Sequence, residues 1–189
     1  GLVSLMETGL PDAKLQEYCQ TIYRSISAMS KMVSEILYEE RKSWCELKEL
    51  IDYIRASRLS GTNLSVDVEL LGEPQAILYI NKIRLTRAII NLIDNALDAT
   101  QGLEEGRVVL RAKTREDAVE LEVEDNGEGI SESEIKRIWK TGYSKKNHPG
   151  FGLAFVRQVA EGHNGFVNIK SEVGQGTKVW MTLPLGDGQ

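Results

Sequence analysis

Cysteine, histidine and proline are scarce in this chain of 189 residues, which holds two, two and four of them. Cys19 and Cys45 have neither C-x-x-C nor zinc-finger spacing, so they read as ordinary reduced thiols and point to a cytoplasmic protein. Basic excess is also missing. A net charge of −5 argues against a nucleic-acid partner, which calls for a basic stripe. No apolar run approaches the roughly 18 residues needed to cross a bilayer. The opening Gly1-Leu2-Val3-Ser4-Leu5-Met6 is apolar but short and lacks the basic flank of a signal peptide. The first residue is Gly rather than Met, so the chain is expected to be a fragment, with any membrane segment upstream of it. With 41% hydrophobic and 27% charged residues, what is present suits one globular domain plus a smaller appendage.

After the turn signal Gly9-Leu10-Pro11-Asp12, no Gly or Pro occurs up to Lys42. Leu15, Cys19, Ile22, Ile26, Met29, Val33 and Ile36 step alternately by four and three, a period of about 3.5 residues that marks a coiled-coil or bundle seam. A helix over 12–42 is about 45 Å long, and its one-sided stripe needs partners. Residues 1–8 read as the last turns of an antiparallel helix. The hairpin is therefore expected to dimerise into four helices, with an intramolecular core helix as the alternative.

The texture changes after Trp44. The pattern predicts helices over 46–58, 82–100, 131–139 and 151–162. Alternating strands are predicted over 65–70, 108–112, 119–123, 166–171 and 178–183. Ser131 and Glu134 are spaced as a capping box. Helices and strands without strict βαβ alternation give an α+β class: an α/β sandwich with a mixed sheet covered by helices on one face. The predicted division is residues 1–45 for the hairpin and 46–189 for the sandwich.

Four local patterns could carry chemistry. In Asn91-Leu92-Ile93-Asp94-Asn95-Ala96-Leu97-Asp98-Ala99-Thr100, Asn91 and Asn95 share a helix face, and Asp98 follows one turn later. Ile90, Ile93 and Leu97 mark the stripe expected to face the core. An amide oxygen is a hard, neutral ligand suited to Mg2+; a plain solvated face explains the pair equally. Second, Asp125-Asn126-Gly127-Glu128-Gly129-Ile130 follows a strand. It places a carboxylate beside backbone that can approach a flat ring, although Asp-Asn-Gly also makes ordinary turns. Such an acceptor suits the amine of adenine and repels the carbonyl of guanine. Third, Gly150-Phe151-Gly152-Leu153 opens a helix and offers N–H groups to an anion, with Lys145 and Lys146 upstream; it lacks the P-loop pattern. Fourth, Gly174-Gln175-Gly176-Thr177 by itself is only a hairpin turn.

Together and in this order, the four resemble the N, G1, G2 and final glycine boxes of the catalytic ATP-binding domain of two-component sensor histidine kinases. That domain belongs to the superfamily that also holds gyrase, Hsp90 and MutL. The resemblance covers about residues 46–185. It implies ATP with Mg2+ as cofactors: Asn95 as metal ligand, Asn91 supporting phosphates, Asp125 on the adenine amine and Thr177 near it. It further implies that Gly127, Gly129, Ile130, Gly150, Gly152 and Leu153 shape the cavity, while Lys145 and Lys146 meet phosphate from a lid. The implied reaction is γ-phosphoryl transfer to a histidine for relay to a response regulator, in a homodimer joined through the N-terminal helices.

Position 91 sharpens the choice, because the ATPase branches carry Glu there as general base and an amide cannot take a proton from water. Three features depart from the family. Neither His148 nor His163 matches the H-E-x-x-N-P phosphoacceptor pattern, so the acceptor is expected upstream of Gly1. His163 is expected to serve the dipole at a helix C-terminus. Asp98 stands where many relatives have a base, and the lid between Trp139 and Gly150 is short. An ATPase of the same superfamily and a nucleotide-binding pseudokinase or docking module remain as competing classes.

Overall fold

The structure is a computed structural model that describes residues 18, 20–27, 41–56, 66–139 and 152–186. The chain divides into two compact units, Gly1–Arg41 and Lys42–Gln189. In the first, residues 20–27 are helical and Ile22 and Ile26, members of the heptad stripe, are exposed. Leu15, Cys19, Met29, Val33 and Ile36 lie outside the described residues.

The second unit runs β1 (Ser43–Glu46), α1 (Leu47–Ile54), β2 (Val66–Leu71), β3 (Ile77–Ile80) and α2 (Lys82–Thr100). It continues through β4 (Val108–Thr114), β5 (Ala118–Asp125), α3 (Glu132–Ile135), α4 (Gly152–Gly162), β6 (Phe166–Glu172) and β7 (Gly176–Pro184). Five strands form one mixed sheet in the order β2-β4-β5-β7-β6; only β2 and β4 are parallel. Period-two alternation explains its faces. Leu110, Ala112, Val119, Leu121, Val123, Val179, Met181 and Leu183 point into the core. The opposite face carries charge: Arg111 pairs with Glu69 (2.7 Å), Glu122 (2.9 Å) and Glu124, while Lys113 reaches Glu122 at 2.7 Å.

Helices cover the apolar face, as an α/β sandwich requires. On α2 the buried stripe is Leu85, Ala88, Ile89, Leu92, Ile93 and Ala96. Of the expected stripe, Ile93 is buried and Leu97 packs against the core, while Ile90 is only half-buried and lies at its flank. Asn81 caps the helix by accepting the Arg84 N–H at 3.0 Å. In α3 the Glu134 carboxylate accepts from both the N–H and the hydroxyl of Ser131. The α-helix there ends at Ile135 and residues 136–139 are turns, shorter than expected.

A second sheet was not expected from the pattern. The antiparallel pair β1–β3 matches Ser43 with Ile80 and Glu46 with Ile77, and the Trp44 and Tyr79 rings meet at 5.0 Å. Four-residue strands are too short to show an alternation. Cys45 in β1 is a free, buried thiol.

Candidate functional site

Three strands align a row of polar side chains on the core face of the main sheet. Asp125 pairs with Thr177, and Thr177 pairs with Ser171. Asp125 continues the buried positions of β5 and is only 8% exposed. Its Oδ1 accepts the N–H groups of Gly127 at 2.8 Å and Thr177 at 3.2 Å. Among the described residues no hydrogen bond reaches Oδ2. Burial pushes this carboxyl above its ordinary value, and the two backbone bonds offset only part of that rise.

Glycine is required where the next turn threads through its neighbours. A Cβ on Gly127 would lie 2.5 Å from the Ala99 carbonyl oxygen. The Glu128 N–H bonds that same oxygen at 3.2 Å, which seats the turn on the C-terminal end of α2. Gly129 has φ +70°, and a Cβ there would lie 2.1 Å from the Glu172 carbonyl oxygen. Asn126 fastens the turn from outside: Oδ1 accepts the Arg107 N–H and Nδ2 donates to the Glu105 carbonyl, both at 2.7 Å. Its role is therefore structural.

The Asn-rich helix meets the glycine-opened one. A Cβ on Gly152, at the start of α4, would come 3.9 Å from Asn91 Cβ and 4.0 Å from Asn95 Nδ2. Asn91 is half-buried and Asn95 exposed; Leu153 is half-buried against the core. Asn95 is one turn from Ala99, on which the Gly127 turn rests. The structure thus assembles Asn91, Asn95 and Gly152 on one side, and Asp125, Gly127, Gly129, Ile130 and Thr177 on the other. Lys145, Lys146, Gly150 and His148 lie outside the described residues.

Charge is graded along α2. The guanidinium carbons of Arg84 and Arg87 lie 6.0 and 5.2 Å from the Phe155 ring centre, at the end preceding Asn91. At the other end, Asp98 and Glu128 line a depression of about 410 Å3 together with Gln101, Leu103 and Asn126. Two carboxylates make that depression a poor host for phosphate.

Ser171 is the site residue that motif reading overlooked. Its hydroxyl accepts the Ile130 N–H at 2.8 Å, donates to the Gly176 carbonyl at 2.9 Å and lies 2.9 Å from Thr177 Oγ1. A signal was available, since a hairpin centred on Gly174 sets 171 opposite 177.

Residues 80–187 match the family described as histidine kinase-, DNA gyrase B- and HSP90-like ATPase. The chain belongs to that family. Among its similar curated proteins is the alginate biosynthesis sensor protein KinB of Pseudomonas aeruginosa, 28% identical over 188 residues. That alignment covers 92% of this chain and 31% of KinB. Sporulation kinase B of Bacillus subtilis is 30% identical over 155 residues, 81% of this chain and 36% of that kinase. The chain spans about a third of the length of these two relatives. Among solved structures, the catalytic domain of histidine kinase ThkA matches with TM-score 0.65 at 22% identity, over 76% of this chain and 95% of that one. Full-length ShkA in complex with AMPPNP matches with TM-score 0.67 at 22% identity, over 95% and 40%. The fold is therefore that of histidine kinase catalytic domains.

Proposed function

We propose that this chain is the kinase part of a two-component sensor histidine kinase: it binds ATP with Mg2+ and passes the γ-phosphoryl group to a histidine for relay to a response regulator. One observation carries the reading. A buried carboxylate, with one oxygen uncommitted among the described residues, stands beside close-approaching glycine backbone at the end of the helix that carries the paired amides.

In this reading Asp125 Oδ2 accepts from the adenine amine, with Thr177 beside it and Gly127, Gly129 and Ile130 against the base. The grading of charge along α2 orients the nucleotide. Phosphates point away from Asp98 and Glu128, toward Asn91, Asn95, the α4 N-terminus and the Arg87 end. Gly152 and Leu153 shape that end, and Lys145, Lys146 and Gly150 are assigned to the phosphates by the family pattern.

The residues present fit Mg2+. Asn95 offers an exposed amide oxygen, and no group of three or more His, Cys, Asp and Glu is gathered for a metal among the described residues. An ion that keeps its waters and takes phosphate oxygens needs no more than such a ligand. When bound, the ion neutralises charge on the transferring phosphoryl group. Asn91 holds phosphate without acting as a base toward water, which favours transfer over hydrolysis.

Residues 1–41 are assigned to the dimerisation and phosphotransfer hairpin, with the exposed Ile22 and Ile26 in the seam of a homodimer; the expected boundary at 45 moves back because Ser43–Glu46 is strand β1 of the second unit. The acceptor is assigned to a histidine other than His148 and His163. The same family reading assigns the chain to the cytoplasm. No described helix is long and apolar enough to cross a membrane.

The test mixes this chain with a separate hairpin carrying the H-E-x-x-N-P histidine and radiolabelled ATP. Acid-labile phosphohistidine on the hairpin is the expected product. ATP binding without any labelled hairpin would replace this reading with the pseudokinase, and release of free phosphate alone would replace it with the ATPase.

A further inference from the structure

Counting protons in the Asp125–Thr177–Ser171 row gives the hydroxyl of Thr177 a direction. A carbonyl oxygen can only accept, so the Ser171 hydroxyl spends its one proton on Gly176. Its two lone pairs are then used by the Ile130 N–H and by Thr177, and the 2.9 Å contact must be a donation from Thr177 to Ser171. Ser171 is saturated. Thr177 has given up its proton and keeps only lone pairs. Asp125 beside it is also an acceptor, with Oδ1 doubly bonded and Oδ2 uncommitted among the described residues.

We infer that Ser171 sets base selectivity: by holding the Thr177 proton it makes the strand-end row present acceptors only toward position 6 of a purine, where they suit a 6-amino group and oppose a 6-oxo group. This rests on the nucleotide reading above and deepens it. Ser171 is a positioning residue acting through Thr177. Without its oxygen, the Thr177 hydroxyl turns freely and donates to a 6-oxo group. The strand-end carboxylate then stands alone against that base.

The measurement is the affinity of the chain for ATP and for inosine triphosphate, by calorimetry with Mg2+, alongside a thermal melt. The wild-type chain prefers ATP. In Ser171→Ala that preference narrows by about tenfold, the equivalent of one hydrogen bond. Ser171→Thr keeps an oxygen at the same place on the strand and keeps the preference. Thr177→Val, which removes the lone pairs while preserving shape, narrows it as well; this variant decides the matter if Ser171→Ala gives no cooperative melt. Equal loss of both nucleotides, or an unchanged ratio in the deciding variant, overturns the relay and leaves the nucleotide site standing. A wild-type chain that binds neither nucleotide overturns both.

Discussion

His163, at the C-terminal end of α4, accepts a hydrogen bond through Nε2 from the backbone N–H of Asn81, the N-cap of α2, at 2.8 Å. Its Nδ1 lies 2.7 Å from the Val159 carbonyl and donates to it, so the ring is the neutral Nδ1–H tautomer. This corrects the expectation of a charge serving the helix dipole. The ring instead joins the ends of the two helices whose other parts meet at Asn91 and Gly152. His163→Ala leaves a buried N–H without partner and is expected to cost about 1–3 kcal/mol, read as a lower urea midpoint at unchanged m-value.

Thr86 makes the opposite case. Its hydroxyl, on the core side of α2, is the one buried side-chain polar atom without a partner among the described residues. Thr86→Val keeps the shape and removes the stranded group. It is expected to stabilise the second unit by about 1 kcal/mol, visible as a higher melting temperature.

Asp125 predicts opposite responses of binding and folding to acid. Its folded value is raised, so protonation begins at a higher pH than for an ordinary aspartate. In the proposed site ATP binding uses the carboxylate, so its affinity is expected to fade on acidification through that raised value. The cost of burying the charge is present above it and is relieved over the same range. Asp125→Asn is expected to weaken ATP by about 1.5–3 kcal/mol and to remove this pH dependence. Calorimetry across the acidic range, where the wild type and the variant should differ in slope, checks both.

The Arg111 hub supplies a test on the far face of the sheet. Burial alone would raise the Glu122 carboxyl, but bonds from Lys113 and Arg111 more than reverse this and leave it depressed. A depressed acid contributes stability above its unfolded value and loses it as pH falls through the folded one. Arg111→Met is expected to cost about 1–3 kcal/mol at neutral pH and to move acid unfolding to higher pH, while ATP affinity stays unchanged. Circular dichroism during acid titration records the shift.

Gly129→Ala tests the glycine turn. The left-handed φ costs an alanine about 1–2 kcal/mol, before its Cβ meets the Glu172 carbonyl. The turn has to move, and nucleotide affinity is expected to fall more than tenfold with only partial loss of thermal stability.

Much of this unit was legible because its elements are long and regular. The α2 span of 82–100 and the five strands of the main sheet follow from periodicity in Leu85–Ala96 and in runs such as Val119–Val123. The candidate site could be drawn from the sequence where glycine, Asp and Asn fall in a fixed order. What escaped has physical reasons. β1 and β3 are too short for alternation, and they are held by the Leu47 N–H to the Ala76 carbonyl and by Trp44 on Tyr79, contacts between distant segments. Ser171 escaped because a serine in a strand carries no signal until its neighbour across the hairpin is known. On α2 only Ile90 was misjudged, because it is apolar yet lies on the flank of the stripe that Ile93 and Leu97 help to form.

The last described residues carry one more consequence. The Leu185 N–H bonds the Asp117 carbonyl at 3.0 Å and the Gly186 N–H bonds Ile77 at 2.9 Å, while a Cβ on Gly186 would sit 2.1 Å from a Trp44 ring carbon. Trp44 lies two residues after Lys42, where the unit starts. The first and last described residues of this unit therefore lie together, with the Trp44 indole beside Gly186. A fold with adjacent ends can be spliced into a longer polypeptide, or exchanged between polypeptides, without stretching what flanks it.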